Sequence, residues 1–276
     1  TLSSSSAASD VYKRQYIFIM TARLKDKVAL ITGAAQGLGK EMAKSMIAEG
    51  AEVYISDINA EQLNETAKEL SCSCITHDVT NIEDWQKVID QIRENSGALN
   101  ILINNAGGPP PGIWSDWVRE DFLKALNSNM LTPIDLIKKV LPIMIEKKWG
   151  RIVNITSQAV KAPVPALGLS NSARTGLTGY IAGTSRQVAR FGVTINNLLP
   201  GMHDTRRLID LDDAMSKEKN ISFEEARNLR KDTIPIGRYG TIEEFGNTCA
   251  FLCSQHSGFI VGQNILLDGG AVNSTI

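Results

Sequence analysis

Val28-Ala29-Leu30-Ile31-Thr32-Gly33-Ala34-Ala35-Gln36-Gly37-Leu38-Gly39 runs an apolar strand into a glycine-rich turn and then into a helical pattern. Glycine lets the backbone bend sharply and come close to phosphates, whose charge then meets free N–H groups at the helix N-terminus. The helical pattern continues to Glu49, Gly50 closes it, and residues 52–56 (EVYIS) read as the next strand. The glycine spacing is GxxxGxG, and its weight comes from the order strand, glycines, helix, strand, acid. That acid is Asp57, twenty-four positions after Gly33. A carboxylate there accepts hydrogen bonds from both ribose hydroxyls of NAD and repels a 2′-phosphate. The turn carries Gln36 and no arginine or lysine, so the expected cofactor is NAD(H), with NADP disfavoured by Asp57. A plain helix cap is the alternative role for Asp57.

Beyond this unit the chain keeps alternating. Apolar, β-rich segments recur at 73–76, 100–103, 151–155, 193–197 and 264–267, and helix-length stretches at 58–70, 82–95, 121–147, 172–190 and 242–254. Seven strands with intervening helices predict an α/β, Rossmann-type, doubly wound and mostly parallel sheet. No internal repeat or linker interrupts it, so residues 20–276 are expected to form one domain. Residues 206–233 are long and charge-rich for a connection. Ser222 followed by Glu225 resembles a capped helix start, and a helical lid over the substrate is the functional reading. A solvated insertion is the alternative. Trp114 and Trp117, after the proline-rich 109–112, either wall the same pocket or serve as rim or core aromatics.

Residues 1–19 look foreign to the rest. A serine-rich run precedes Lys13 and Arg14, the reverse of a secretory signal, and a disordered, non-native leader is expected. The net charge of −1 offers no basic field for nucleic acid or anionic lipid. No apolar run approaches the roughly 20 residues of a membrane span. The four cysteines, Cys72, Cys74, Cys249 and Cys253, are too few and clustered for a disulfide framework. A reduced, cytoplasmic setting without a metal site is expected.

The TGxxxGxG turn, Asp78-Val79 after the third strand and Asn104-Asn105-Ala106-Gly107 after the fourth resemble the short-chain dehydrogenase/reductase superfamily. Pro200-Gly201 with Thr205 and Asp268-Gly269-Gly270 agree, so the likeness spans about 24–270. Gly107 to Pro111 and the segment before Pro235-Ile236-Gly237-Arg238 are similar to 3-oxoacyl-acyl-carrier-protein reductases. The resemblance implies a dinucleotide site made of Gly33, Gln36, Gly37, Leu38, Gly39, Asp57, Asp78, Val79, Asn105, Ala106, Gly107, Pro200, Gly201 and Thr205. It also implies a homotetramer or homodimer built on the long helices.

The same resemblance implies a catalytic row of Asn, Ser, Tyr and Lys. Asn129 and Ser157 fall on the first two. Thirteen positions after Ser157 the family expects Tyr-x-x-x-Lys, and this chain has Ser170 and Arg174. A phenol has an unperturbed pKa near 10, within reach of tuning toward neutrality; a serine hydroxyl is a far weaker acid and sits further back. Arginine keeps its charge, and its planar fork suits the ribose hydroxyls, but it does not exchange protons as lysine does. Tyr180 lies too far along the same helix to substitute. His203 reads as a solvated loop residue with general-acid chemistry as its functional alternative, and Tyr239 as packing.

Two functions remain open at this stage. One is an NAD(H)-dependent oxidoreductase acting on a small carbonyl or secondary alcohol. There Asn129 and Ser157 orient the oxygen, Arg174 holds the ribose, and Ser170 or a bound water relays the proton. The other is an NAD(H)-binding, non-catalytic homologue acting as a regulatory or partner subunit.

Overall fold

The computed structural model describes residues 22–274, so the expectation for residues 1–19 lies outside the described residues. Seven parallel strands form one sheet: β1 Val28–Thr32, β2 Glu52–Asp57, β3 Ser73–Thr76, β4 Ile101–Asn104, β5 Gly150–Ile155, β6 Val193–Pro200 and β7 Asn264–Leu267. Their order is β3-β2-β1-β4-β5-β6-β7, which reverses direction between β1 and β4. In such sheets ligands bind outside the carboxyl ends of the strands, at that reversal.

Both faces of the sheet are buried, and alternate strand residues feed opposite cores. Ala29, Ile31, Val53, Ile55, Ile101 and Ile103 pack with α1 (Gly37–Ala48), α2 (Ala60–Leu70) and a helix near the C-terminus, α9 (Ile242–Leu252). Val28, Leu30, Tyr54, Leu102, Ile152 and Ile195 pack with α3 (Trp85–Ser96), α5 (Thr132–Glu146) and α6 (Gly168–Val188). Cys249 and Cys253 are buried in the first core as ordinary apolar groups. No helix of the described residues is long and apolar enough to cross a membrane.

The stretch 121–147, which reads as one helix, is interrupted. α4 (Arg119–Leu126) passes through a π-helical turn, Asn127–Leu131, before α5 begins. Thr132 N–H reaches back five residues to the Asn127 carbonyl. Pro133 has no N–H to donate and its ring crowds the carbonyl four residues earlier, which the widened turn accommodates. Between β6 and α9 lie α7 (Arg206–Lys219) and α8 (Phe223–Lys231), capped by the side chains of Thr205 and Ser222.

Candidate functional site

The phosphate turn is tightly packed below and open above. A Cβ on Gly39 would lie 2.2 Å from the Gly33 carbonyl oxygen, so only glycine fits the crossing of turn and helix. Gly37 adopts a left-handed φ of 58°, and nothing lies within 4 Å of where its Cβ would point. α1 starts at Gln36 with no side-chain cap and no acid in its first turn, which leaves its N-terminal N–H groups and dipole for an anion. Asn105 braces the turn: its Nδ2 donates to the Gly33 carbonyl at 2.8 Å and its N–H to Thr32 Oγ1 at 2.9 Å. Gly33, Asp57, Ile58, His77, Asp78, Val79, Asn105, Ala106 and Gly107 line a concavity of about 140 Å³ beside it. An open Gly37, an uncapped helix start and an acid-floored hollow fit a dinucleotide.

Asp57 stands at the end of β2, as its spacing requires. Its Oδ2 accepts the Ala35 N–H and its Oδ1 the Asn59 N–H, both at 3.1 Å. The Asp78 carboxyl is held below its ordinary range by hydrogen bonds from the Thr80 N–H and hydroxyl. At the other end of the site, Gly201 N–H donates to the Leu267 carbonyl at 2.8 Å, and the Thr205 hydroxyl caps α7 by accepting the Leu208 N–H. Pro200 closes β6 just before them.

The catalytic candidates divide into two sets. Asn129 and Arg174 line one recess of about 10 Å³, together with Asn104, Thr132 and Ala106. That is room for about one water molecule. Asn129 is buried in the π turn; its Nδ2 donates to Ser128 Oγ at 2.7 Å, while its Oδ1 has no protein partner. Arg174 is buried on α6. Its Nη1 donates to the Ile155 carbonyl at 2.6 Å and its Nη2 to the Ala106 carbonyl at 3.4 Å. Burial, with repulsion from Arg207 second, brings its pKa down to about 10, so it stays charged at neutral pH. Ser157 caps the short turn after β5 by accepting the Ala159 N–H at 3.1 Å, and Ser170 is buried in the first turn of α6. No hydrogen bond joins Ser157 to Ser170 among the described residues.

His203 is a correction. It is buried, 6% exposed, with its ring edge-on to Phe245 at 5.1 Å and its Nδ1 3.4 Å from the Gly201 carbonyl. Desolvation pushes its pKa down. Tyr239 is packed as expected, with its hydroxyl donating to buried Asp212 at 3.0 Å and its pKa raised to about 12, by burial first. Trp114 is 87% exposed, whereas Trp117 packs over Gly168 at the start of α6.

Sequence reading missed a row of amides beneath the site. Asn104 Nδ2 donates to Asn154 Oδ1 at 2.8 Å, Asn154 Nδ2 to Asn197 Oδ1 at 3.2 Å, and Asn197 Nδ2 to Asn264 Oδ1 at 2.8 Å. The four residues are register partners across β4, β5, β6 and β7. An asparagine in or at the edge of each predicted strand was the available signal.

A parallel doubly wound sheet with a glycine-rich turn, an acid at the end of β2 and a polar recess at its carboxyl edge has the architecture of a dinucleotide-binding protein. A family model described as enoyl-(acyl carrier protein) reductase matches residues 33–272, and the chain belongs to that family, within the short-chain dehydrogenase/reductase superfamily. It is 30% identical to 3-oxoacyl-acyl-carrier-protein reductase FabG of Vibrio cholerae, over 90% of this chain and 98% of the relative. A variant of actinorhodin polyketide ketoreductase with NADPH superimposes with a TM-score of 0.85 at 29% identity, covering 90% of this chain and 98% of that one. YwfH, an NADPH-dependent reductase involved in bacilysin biosynthesis, does so at 0.84 and 26%, covering 90% and 99%. The chain is an NAD(P)(H)-dependent oxidoreductase acting on a carbonyl or alcohol group.

The NADPH in these similar structures overturns the expectation that Asp57 sets NADP aside. The physical reason lies in the carboxylate itself. Each oxygen already takes a backbone N–H, one from the phosphate turn and one from the start of α2. Both oxygens are thus already engaged by the main chain, and an acid at this position does not by itself decide the cofactor.

Proposed function

We propose that the chain interconverts a small carbonyl compound and its alcohol through a proton relay without the usual tyrosine and lysine, and that its substrates resemble those of 3-oxoacyl reductases. The supporting observation is the polar recess between Asn129 and Arg174, where Asn129 Oδ1 has no protein partner. When bound, the dinucleotide supplies or takes up the hydride; Gly33, Gln36, Gly37, Leu38 and Gly39 face its phosphates, Asp57 its ribose, Asp78, Val79, Asn105, Ala106 and Gly107 its adenosine side, and Pro200, Gly201 and Thr205 its nicotinamide side. Asn129 and Ser157 orient the substrate oxygen. As the carbonyl carbon gains hydride, that oxygen takes a proton from the Ser170 hydroxyl or from water held by Ser157, Ser170 and Asn129, and the relay is reprotonated from solvent. Arg174 keeps a positive charge beside the ribose position and braces the ends of β4 and β5.

The same reading makes residues 20–276 one catalytic domain with 206–233 as its lid. It also makes the protein a cytoplasmic homotetramer or homodimer. The test is absorbance of the reduced nicotinamide with a panel of ketones and alcohols, on the natural chain and on the double variant Ser170→Tyr, Arg174→Lys. Turnover by the natural chain is expected. Activity that emerges only in the double variant overturns the relay and leaves a dinucleotide-binding homologue.

A further inference from the structure

The lid places a second guanidinium over the site. Arg207, in the first turn of α7, lies on Gly108: a Cβ at that position would meet its Nη1 at 2.9 Å and its Nη2 at 3.5 Å. Arg174 approaches the same loop from the sheet side, through the Ala106 carbonyl. The two cations therefore bracket main chain 106–108, close enough that Arg207 opposes the charge on Arg174.

Neither has an acid among the described residues. The acids nearby are committed elsewhere: Asp204 to Arg227 at 3.0 Å, Asp210 to Arg206 at 3.0 Å, Asp212 to Arg230 at 2.7 Å and Asp213 to Lys217 at 2.6 Å. The loop beneath, 104–112, contains no charged residue. Two like charges without a carboxylate between them cost free energy that an anion recovers, and an exposed arginine offers a carboxylate two parallel N–H donors.

We infer that Arg207 is a specificity-determining residue that binds an anionic group, a carboxylate, on the substrate. The inference rests on the oxidoreductase reading above. The dinucleotide phosphates are the other source of such oxygens, but their place is the uncapped start of α1, whereas Arg207 sits past Gly107 on the side of Arg174 and the lid.

The test reads binding rather than turnover, so it stands even if the proton relay fails. Calorimetry is run on the full chain saturated with oxidised NAD or NADP, titrated with acetoacetate and separately with its uncharged methyl ester. The natural chain is expected to bind acetoacetate the more tightly. Arg207→Ala should weaken acetoacetate by about 10- to 100-fold, the range for losing one charge-assisted partner, and shift the ester less than twofold. Gly108→Ala keeps every charge but displaces the guanidinium, and should weaken acetoacetate in the same direction. Equal affinity of the natural chain for acid and ester overturns the inference, as does an Arg207→Ala loss confined to the dinucleotide.

Discussion

Asn104 donates its side-chain amide to Asn154 at 2.8 Å, in the interior of the sheet and directly below the site. The two are register partners at the carboxyl ends of β4 and β5, and Asn154 is fully buried. It passes the chain of amides on to Asn197, and also donates to the Asn196 carbonyl at 3.4 Å. Where the glycine turn and the π turn meet the sheet, side-chain amides join strands β4 to β7 laterally, in addition to the backbone ladder.

Replacing Asn154 by leucine strands an amide on one side and a carbonyl on the other. Each buried polar group left without a partner costs about 1–3 kcal/mol. Asn154→Leu should therefore lose about 2–4 kcal/mol in urea unfolding, with unchanged secondary structure by circular dichroism. A loss below 0.5 kcal/mol would mean the ladder contributes nothing beyond its shape.

The glycines of the phosphate turn separate by mechanism. At Gly37 the space is open and only the left-handed φ is at issue, so Gly37→Ala should cost about 1–2 kcal/mol. At Gly39 a methyl group collides with the Gly33 carbonyl and with the Asn105 amide that braces it. Gly39→Ala should cost more in denaturant midpoint and lower dinucleotide affinity by more than tenfold. Equal midpoints for the two variants would contradict the close crossing.

Asp212 ties α7 to α8 and to Tyr239 beyond them. Its carboxylate is wholly buried and takes Arg230 Nε at 2.7 Å and the Tyr239 hydroxyl at 3.0 Å, with Arg227 Nη1 at 3.6 Å. Removing one member of such a cluster leaves buried charge uncompensated, at about 3–5 kcal/mol. Asp212→Asn should raise hydrogen exchange across 206–233 first, and lower the melting temperature second. Exchange unchanged in that segment would show that the network does not hold it.

Much of this was legible in the sequence, and what was not has a common cause. Strand alternation and the glycine turn gave the sheet, because both are set by neighbours within a few residues. The π turn was hidden, since the apolar period of 121–147 is continuous; Pro133 was its only local mark. Nothing in the charge-rich stretch 206–233 singled out Asp212, because Arg230 reaches it only when α7 and α8 pair. His203 read as exposed, because Phe245, which covers it, lies forty-two residues on. The spacing placed Asp57 at the end of β2, where it stands, but the hydrogen bond it takes from the Ala35 N–H of the glycine turn belongs to tertiary geometry.

The burial of His203 carries a pH dependence whose sign is fixed. Desolvation lowers its folded pKa below the unperturbed value of about 6.5; the Gly201 carbonyl and the more distant Glu244 act the other way but more weakly. The unfolded chain therefore binds this proton more readily than the folded one. Stability contributed by the neutral ring is complete above about pH 6.5 and is lost as pH falls below it, by at most about 1.4 kcal/mol per pH unit. Thermal melts of the natural chain and of His203→Gln between pH 7.5 and 5 isolate this group, because other titrations are shared by both. The natural chain should lose more melting temperature on acidification than the variant. Parallel curves would mean that the imidazole accepts its proton in place, without disturbing the packing of Gly240 and Phe245 around it.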